Sequence, residues 1–211
     1  MVNEMAVDKL ILILLVLPLL GALVNGVVGK KLSNALVGGI ATGVMLVSFV
    51  CALLVFNQTN DTKIIHLFNL LKLNDLHINA SLQVDALSIW MTLIVTGVGT
   101  LIHIFSIGYM SHDQGFYKFF TYLNLFIFSM LLLILGSNYF VLFFGWEGVG
   151  ICSYLLIGFH YSDAEKGIAN SIAARKAFIM NRIGDAGLLI GLFLILAQFN
   201  TLEFIGIAEK L

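Results

Sequence analysis

The stretch YFVLFFGWEGVGICSYLLIGFH, Tyr139–His160, decides the fold. About 20 residues of helix cover the roughly 30 Å of a hydrocarbon core, so this stretch can cross a bilayer once. Its one charged residue is Glu147, with Gly145 and Gly148 beside it. From Phe119 to Ser162 no other Asp, Glu, Lys or Arg occurs, and from Ala86 to His112 there is none at all. Only 11% of the chain is charged and 60% is hydrophobic. Soluble domains carry about 25% charged residues. These runs predict an all-α, polytopic bundle of transmembrane helices rather than a soluble domain.

Six spanning helices are predicted, at about Leu10–Val28, Ala35–Phe56, Ala86–Tyr109, Phe119–Leu135, Tyr139–Phe159 and Ala174–Ala197. Pro18 lies inside the first as a possible kink. The start, MVNEMAVDKLILILL, carries acids where a secretory signal has a basic region, so the first run reads as a retained helix. The pattern divides the chain into a two-helix pair (1–56), an external segment (57–85) and a four-helix region (86–211). The external segment, containing KIIHLFNLLKLNDLHINASLQVD, is too interrupted by polar residues to span. It reads as a short hairpin or a surface helix. HYSDAEKGIANSIAARK reads as a mobile loop before the sixth helix, and TLEFIGIAEKL as a short interfacial piece.

Lys/Arg counting orients the bundle. One side carries Lys30, Lys31, Lys118, Lys166, Arg175 and Lys176; the other carries Lys9, Lys63, Lys72 and Lys210. The first side is expected to face the cytoplasm or mitochondrial matrix, leaving both termini outside. No basic stretch is dense enough to neutralise a row of phosphates, so nucleic acid is excluded as a partner. Cys51 and Cys152 lie in apolar runs and read as small buried hydrophobes. The sequons NQT, NDT and NAS matter only in a secretory compartment. No phosphate-cradling glycine loop, CxxC set or nucleophile elbow is present.

The chemistry is carried by the ionisable residues inside the spans. An ionised carboxylate at mid-bilayer costs about 2.5–3.5 kcal/mol on insertion scales. Burial favours the neutral form of such a group, so it is suited to taking up and releasing a proton. The competing reading of Glu147 is an acid hydrogen-bonded to a neighbouring helix. In KAFIMNRIGDAG, Arg182 and Asp185 stand three residues apart and share a helix face. Counted from Ala174 they lie about 12 and 17 Å into the sixth helix. They are expected to pair with each other, and a dry Arg–Asp pair leaves Asp185 as a fixed charge rather than a carrier. His103 is a weaker candidate, because a lone histidine on an apolar helix is more often a packing residue. Lys176 stands at the helix mouth, where interfacial anchoring is the simpler reading. Trp146 reads as packing more readily than as a pore-lining aromatic.

LQVDALSIWMTLIVTGVGTLIHIFSIGYM, FFTYLNLFIFSMLLLILGSN, FFGWEGVGICSYLLIGFHYSD and ARKAFIMNRIGD together resemble the L subunit of respiratory NADH–quinone oxidoreductase (complex I), chain 5 of the mitochondrial enzyme. The resemblance covers nearly the whole chain and is strongest from Val84 to Gly187. It implies an antiporter-like subunit that translocates protons and holds no cofactor of its own. Its implied partners are the other membrane subunits, the neighbouring antiporter-like subunit among them, and the lipid bilayer. It implies a bacterial inner membrane, or alternatively the mitochondrial inner membrane. Glu147 matches the family's helix-5 acid, which pairs there with a lysine on helix 7, and Arg182 and Asp185 match the helix-6 pair. Family members have about fourteen or more helices, so the resemblance marks this sequence as an N-terminal portion that begins the proton channel, in which Glu147 is expected to lack its cation. The alternative is a subunit of a cation/proton antiporter, and a purely structural membrane subunit is the third reading.

Overall fold

The structure is a computed structural model describing residues 2–58, 61–73 and 76–211. Six helices among the described residues are long and apolar enough to cross a membrane, and the chain is a multi-pass membrane protein. They are α1 (Val2–Val28), α2 (Asn34–Gln58), α3 (Ala86–Tyr109), α4 (Phe116–Leu135), α5 (Tyr139–Ile157) and α6 (Gly167–Phe199), followed by a five-residue helix α7 (Phe204–Ala208). Two strands, β1 (Lys63–Leu73) and β2 (Leu76–Val84), form an antiparallel hairpin. Of the two readings left open for the external segment, the hairpin is the one found. It is the exception to an otherwise helical fold. Thr59 and Asn60, which belong to the two sequons nearest α2, lie outside the described residues.

Two expected boundaries move. The first helix begins at Val2 rather than Leu10 and runs unbroken through Pro18. The sixth begins at Gly167, so most of the expected mobile loop is helix. Polarity misled the reading there, because GIANSIAARK is polar and yet contains no helix breaker after its first residue. At 33 residues α6 is about 50 Å long, well beyond a hydrocarbon core. Arg182 and Asp185 therefore stand about 22 and 27 Å along it rather than 12 and 17 Å.

Local chemistry sets the remaining ends. Asp85 caps α3 through a reciprocal pair: its carboxylate accepts from the Ser88 backbone N–H at 2.8 Å, and its own N–H donates to Ser88 Oγ at 2.8 Å. Asn138 caps α5 by accepting from the Val141 N–H at 2.9 Å. Asn200 ends α6 with φ +50°, a left-handed conformation that asparagine tolerates better than most residues. Asp163 accepts from the backbone N–H groups of Glu165 and Lys166, both at 2.9 Å, and these bonds hold its carboxyl below the usual carboxylate range.

The chain forms two compact units. The first comprises Met1–Thr62 and Asp85–Leu131. Ile11 and Leu14 of α1, Val37, Ala41 and Met45 of α2, and Phe116 and Phe120 of α4 are fully buried there. Gly99 of α3 lets Met45 and Ile127 close in, since a Cβ at that position would lie 3.0 Å from each. The second comprises Lys63–Val84 and Leu132–Leu211. In it the hairpin, the turn between α4 and α5, and the segment after α6 come together. Ile78, Leu192 and Leu202 form the core of that meeting, with Tyr139, Phe140 and Leu196 against it. Backbone bonds reinforce it: Ser137 N–H donates to Ser81 O at 3.1 Å and Tyr139 N–H to Leu202 O at 3.1 Å.

Candidate functional site

The site lies in the second unit, where α5 and α6 run antiparallel. Their approach is set by glycine. Gly150 faces Asn181 and Gly158 faces Ala174, and Tyr154 packs its ring on Phe178 at 5.4 Å. Gly145 serves the other side of α5, where a Cβ would fall 2.6 Å from Leu133 Cα. Any larger residue there would force α5 away from the end of α4, as expected of a glycine beside Glu147.

In this register Glu147 stands opposite Arg182, and Trp146 opposite Asp185. Arg182 Nη1 donates to Glu147 Oε1 at 2.7 Å, the short distance of a charge-assisted hydrogen bond. Arg182 Nε lies 3.8 Å from Asp185 Oδ2. Trp146 Nε1–H donates to Asp185 Oδ1 at 2.8 Å. The guanidinium also lies 4.9 Å from the centre of the Phe178 ring, one turn back on its own helix. One cation thus joins two acids from two helices, and an indole and a ring hold the two charged groups of α6 in place.

This corrects two expectations. Arg182 does not pair chiefly with Asp185; its short contact is to Glu147. Nor does Glu147 lack a cation within this chain. Sequence spacing favoured the i, i+3 pair because it sees only neighbours on one helix, whereas the Glu147–Arg182 contact depends on the antiparallel register. Trp146, read as packing, is a hydrogen-bond donor to a site residue. An indole one residue before an intramembrane acid was the available signal.

Charge counting defines what the cluster can do. With both acids ionised it carries one net negative charge, and with one proton bound it is neutral. Asp185 is buried, with 6% of its side chain exposed, whereas Glu147 is 19% and Arg182 49% exposed on this chain. A half-exposed guanidinium at this level of a spanning helix requires water or protein against it, because lipid cannot solvate it. Glu147 is therefore the more accessible of the two acids and Asp185 the more fixed.

The remaining candidates are His103 and Lys176. His103 belongs to the first unit and is completely buried, with partners of its own on α3 and α4. Lys176 is exposed on α6. Among the described residues no three His, Cys, Asp or Glu side chains converge as metal ligands.

Residues 70–120 match the family described as NADH-ubiquinone oxidoreductase (complex I), chain 5 N-terminus, and residues 136–211 match the family described as NADH:quinone oxidoreductase/Mrp antiporter, TM. NADH-quinone oxidoreductase subunit L of Rickettsia bellii is 42% identical over 92% of this chain and 30% of its own length. That of Mycobacterium tuberculosis is 52% identical over 63% of this chain and 20% of its own. The chain belongs to the subunit L family. It spans about a fifth to a third of the length of these subunit L relatives. In fold it is similar to a chain of the membrane-bound sulfane sulfur reductase, an archaeal respiratory membrane complex, with a TM-score of 0.79 over 94% of this chain and 39% of that one, at 22% identity. The stretch GWEG contributes both Trp146 and Glu147 to the cluster, and the stretch NRIGD contributes Arg182 and Asp185.

Proposed function

We propose that this chain is the beginning of a proton-translocating subunit of NADH–quinone oxidoreductase, in which Glu147 takes up and releases the proton. The observation that supports this most is Arg182 lying between Glu147 and Asp185 in the α5–α6 pair. The cation pairs with the Glu147 carboxylate at 2.7 Å while it stays there. Moving the guanidinium toward Asp185 leaves Glu147 without its counter-charge, and a carboxylate so exposed in a spanning helix gains by binding a proton. Returning Arg182 expels that proton. Asp185, fixed by Trp146, is the second position for the guanidinium and not a carrier. The chain itself holds no redox group in this reading. Quinone reduction elsewhere in the complex supplies the energy, and neighbouring membrane subunits, an antiporter-like one among them, transmit it. The setting is a bacterial inner membrane, or the mitochondrial one, with Lys166 inside and both ends of this sequence outside. Labelling of a cysteine at position 166 by an impermeant reagent added outside intact cells would reverse that orientation.

Glu147→Gln keeps the shape and removes the charge. In vesicles carrying the whole complex it should lower the ratio of protons moved to electrons transferred. An unchanged ratio at normal electron flux makes the acid structural. One family match also covers antiporters, and so supports a second reading, in which the subunit exchanges protons for another cation without electron transfer. In that case transport persists with the electron donor omitted and depends on the counter-cation.

A further inference from the structure

The first unit contains a polar face that the proposed function does not use. Along α3, Ser88, Thr92, Thr96, Thr100, His103 and Ser106 recur every three or four residues, and all are buried. The hydroxyls of Thr96 and Thr100 donate to the carbonyls of Thr92 and Thr96, each at 2.7 Å, which satisfies them within the helix. His103 is different, because its ring is held from both sides. Nδ1 lies 2.7 Å from the Gly99 carbonyl oxygen and Nε2 lies 2.7 Å from Asn124 Oδ1 on α4. Both His103 and Asn124 are 0% exposed.

A carbonyl only accepts, so Nδ1 must carry a hydrogen. What Nε2 carries depends on the amide facing it. Against Oδ1 of Asn124, Nε2 must also donate, and the ring is then an imidazolium. Against Nδ2, Nε2 must accept, and the ring is a neutral Nδ1–H tautomer. A half-turn of the Asn124 amide exchanges the two cases without moving another atom, since the oxygen and nitrogen ends have nearly the same shape.

Nothing locks the amide in one orientation. With Oδ1 toward the ring, Nδ2 has no hydrogen-bond partner. It points at Gly21 of α1, where a Cβ would fall 2.7 Å away, so only glycine leaves room for that end. One turn along α1, Asn25 is also 0% exposed, and its Oδ1 has no partner. Either orientation leaves one polar end of Asn124 without a fixed partner, so the two differ little in their unmet hydrogen bonds. Phe120 also lies beside the ring, at 6.0 Å between centres. Among the described residues no charged side chain acts on the ring.

We propose that His103 and Asn124 form a reversible proton-binding site inside the first unit, with the amide turning to match the charge of the imidazole. The site is separate from the Glu147 cluster and stands or falls without it. The alternative is a packing histidine with one fixed tautomer.

The test uses the full-length protein in its complex, labelled with 15N-histidine and reconstituted in lipid, with imidazole nitrogen shifts followed from pH 5 to pH 9. His103→Gln identifies the signal by removing it. The wild-type ring should pass between an Nδ1–H imidazole and an imidazolium within that range. Asn124→Asp, which offers only acceptors, should raise the midpoint by at least about one pH unit, a tenfold gain in proton affinity. Asn124→Leu, which offers neither, should lower it. A ring that stays in one neutral tautomer throughout, in wild type and in Asn124→Asp, overturns the proposal, as do equal shifts in both variants. If neither variant assembles, the wild-type titration decides alone.

Discussion

The two units treat polar groups in a membrane in opposite ways. The first buries uncharged hydroxyls and amides completely: Asn25, Thr92, Thr96 and Asn124 lie inside α1, α3 and α4 with almost no exposure. The second places ions in α5 and α6, where they meet one another across two helices. A neutral hydroxyl is satisfied by the carbonyl one turn away, so it needs no other helix. A carboxylate needs a counter-charge or water, and α5 finds the counter-charge on α6.

The largest effect that could break this contrast is Arg182→Ala. It leaves Glu147 and Asp185 side by side without their shared cation. Assembly of the complex, measured as subunit content in purified membranes, should fall several-fold, and any complex formed should have lost most of its proton-to-electron ratio. A variant that assembles and pumps normally would show that the second unit's ions are as dispensable as exposed surface pairs commonly are.

A smaller effect is expected where the tail after α6 meets the turn between α4 and α5. Glu203 accepts from Asn138 Nδ2 at 3.3 Å and from Ser137 Oγ at 3.4 Å. Burial raises its pKa above the usual glutamate value, opposed by those two hydrogen bonds and by His66. In the folded chain Glu203 therefore holds its proton to a higher pH than in the unfolded one. Its attachment of the tail to the turn is firmest below that raised pKa and weakens as pH rises through it. Backbone amides of residues 78–84 and 136–139 should exchange faster, at matched intrinsic rate, at pH 8 than at pH 5. Glu203→Gln should remove most of that difference, and a difference that survives assigns it to another group.

Much of this was legible in the residues. Uncharged runs of bilayer length marked six spans, and Glu147, Arg182 and Asp185 stood out because charge is expensive there. The starts expected for α3 at Ala86 and for α5 at Tyr139 are the ones found. What composition could not supply was register. The Arg182–Glu147 bond exists because two antiparallel helices meet at Gly150 and Gly158, and no pattern within one helix encodes that. The start of α6 was missed because polar residues were equated with loop, although a helix longer than the membrane is thick must carry polar residues where it emerges. His103 looked like an ordinary packing histidine because its partner Asn124 lies 21 residues away on another helix.

The central claim is that Glu147 and Arg182 act as one unit, and a double-mutant cycle tests it most directly. Proton-to-electron ratios would be measured in vesicles for wild type, Glu147→Gln, Arg182→Gln and the double variant, with electron transfer recorded beside each. If the two residues form one unit, the double variant loses no more than the worse single, because the second change removes a partner that no longer has anything to hold. Losses that multiply would mean that Arg182 and Glu147 act independently, and would contradict the account.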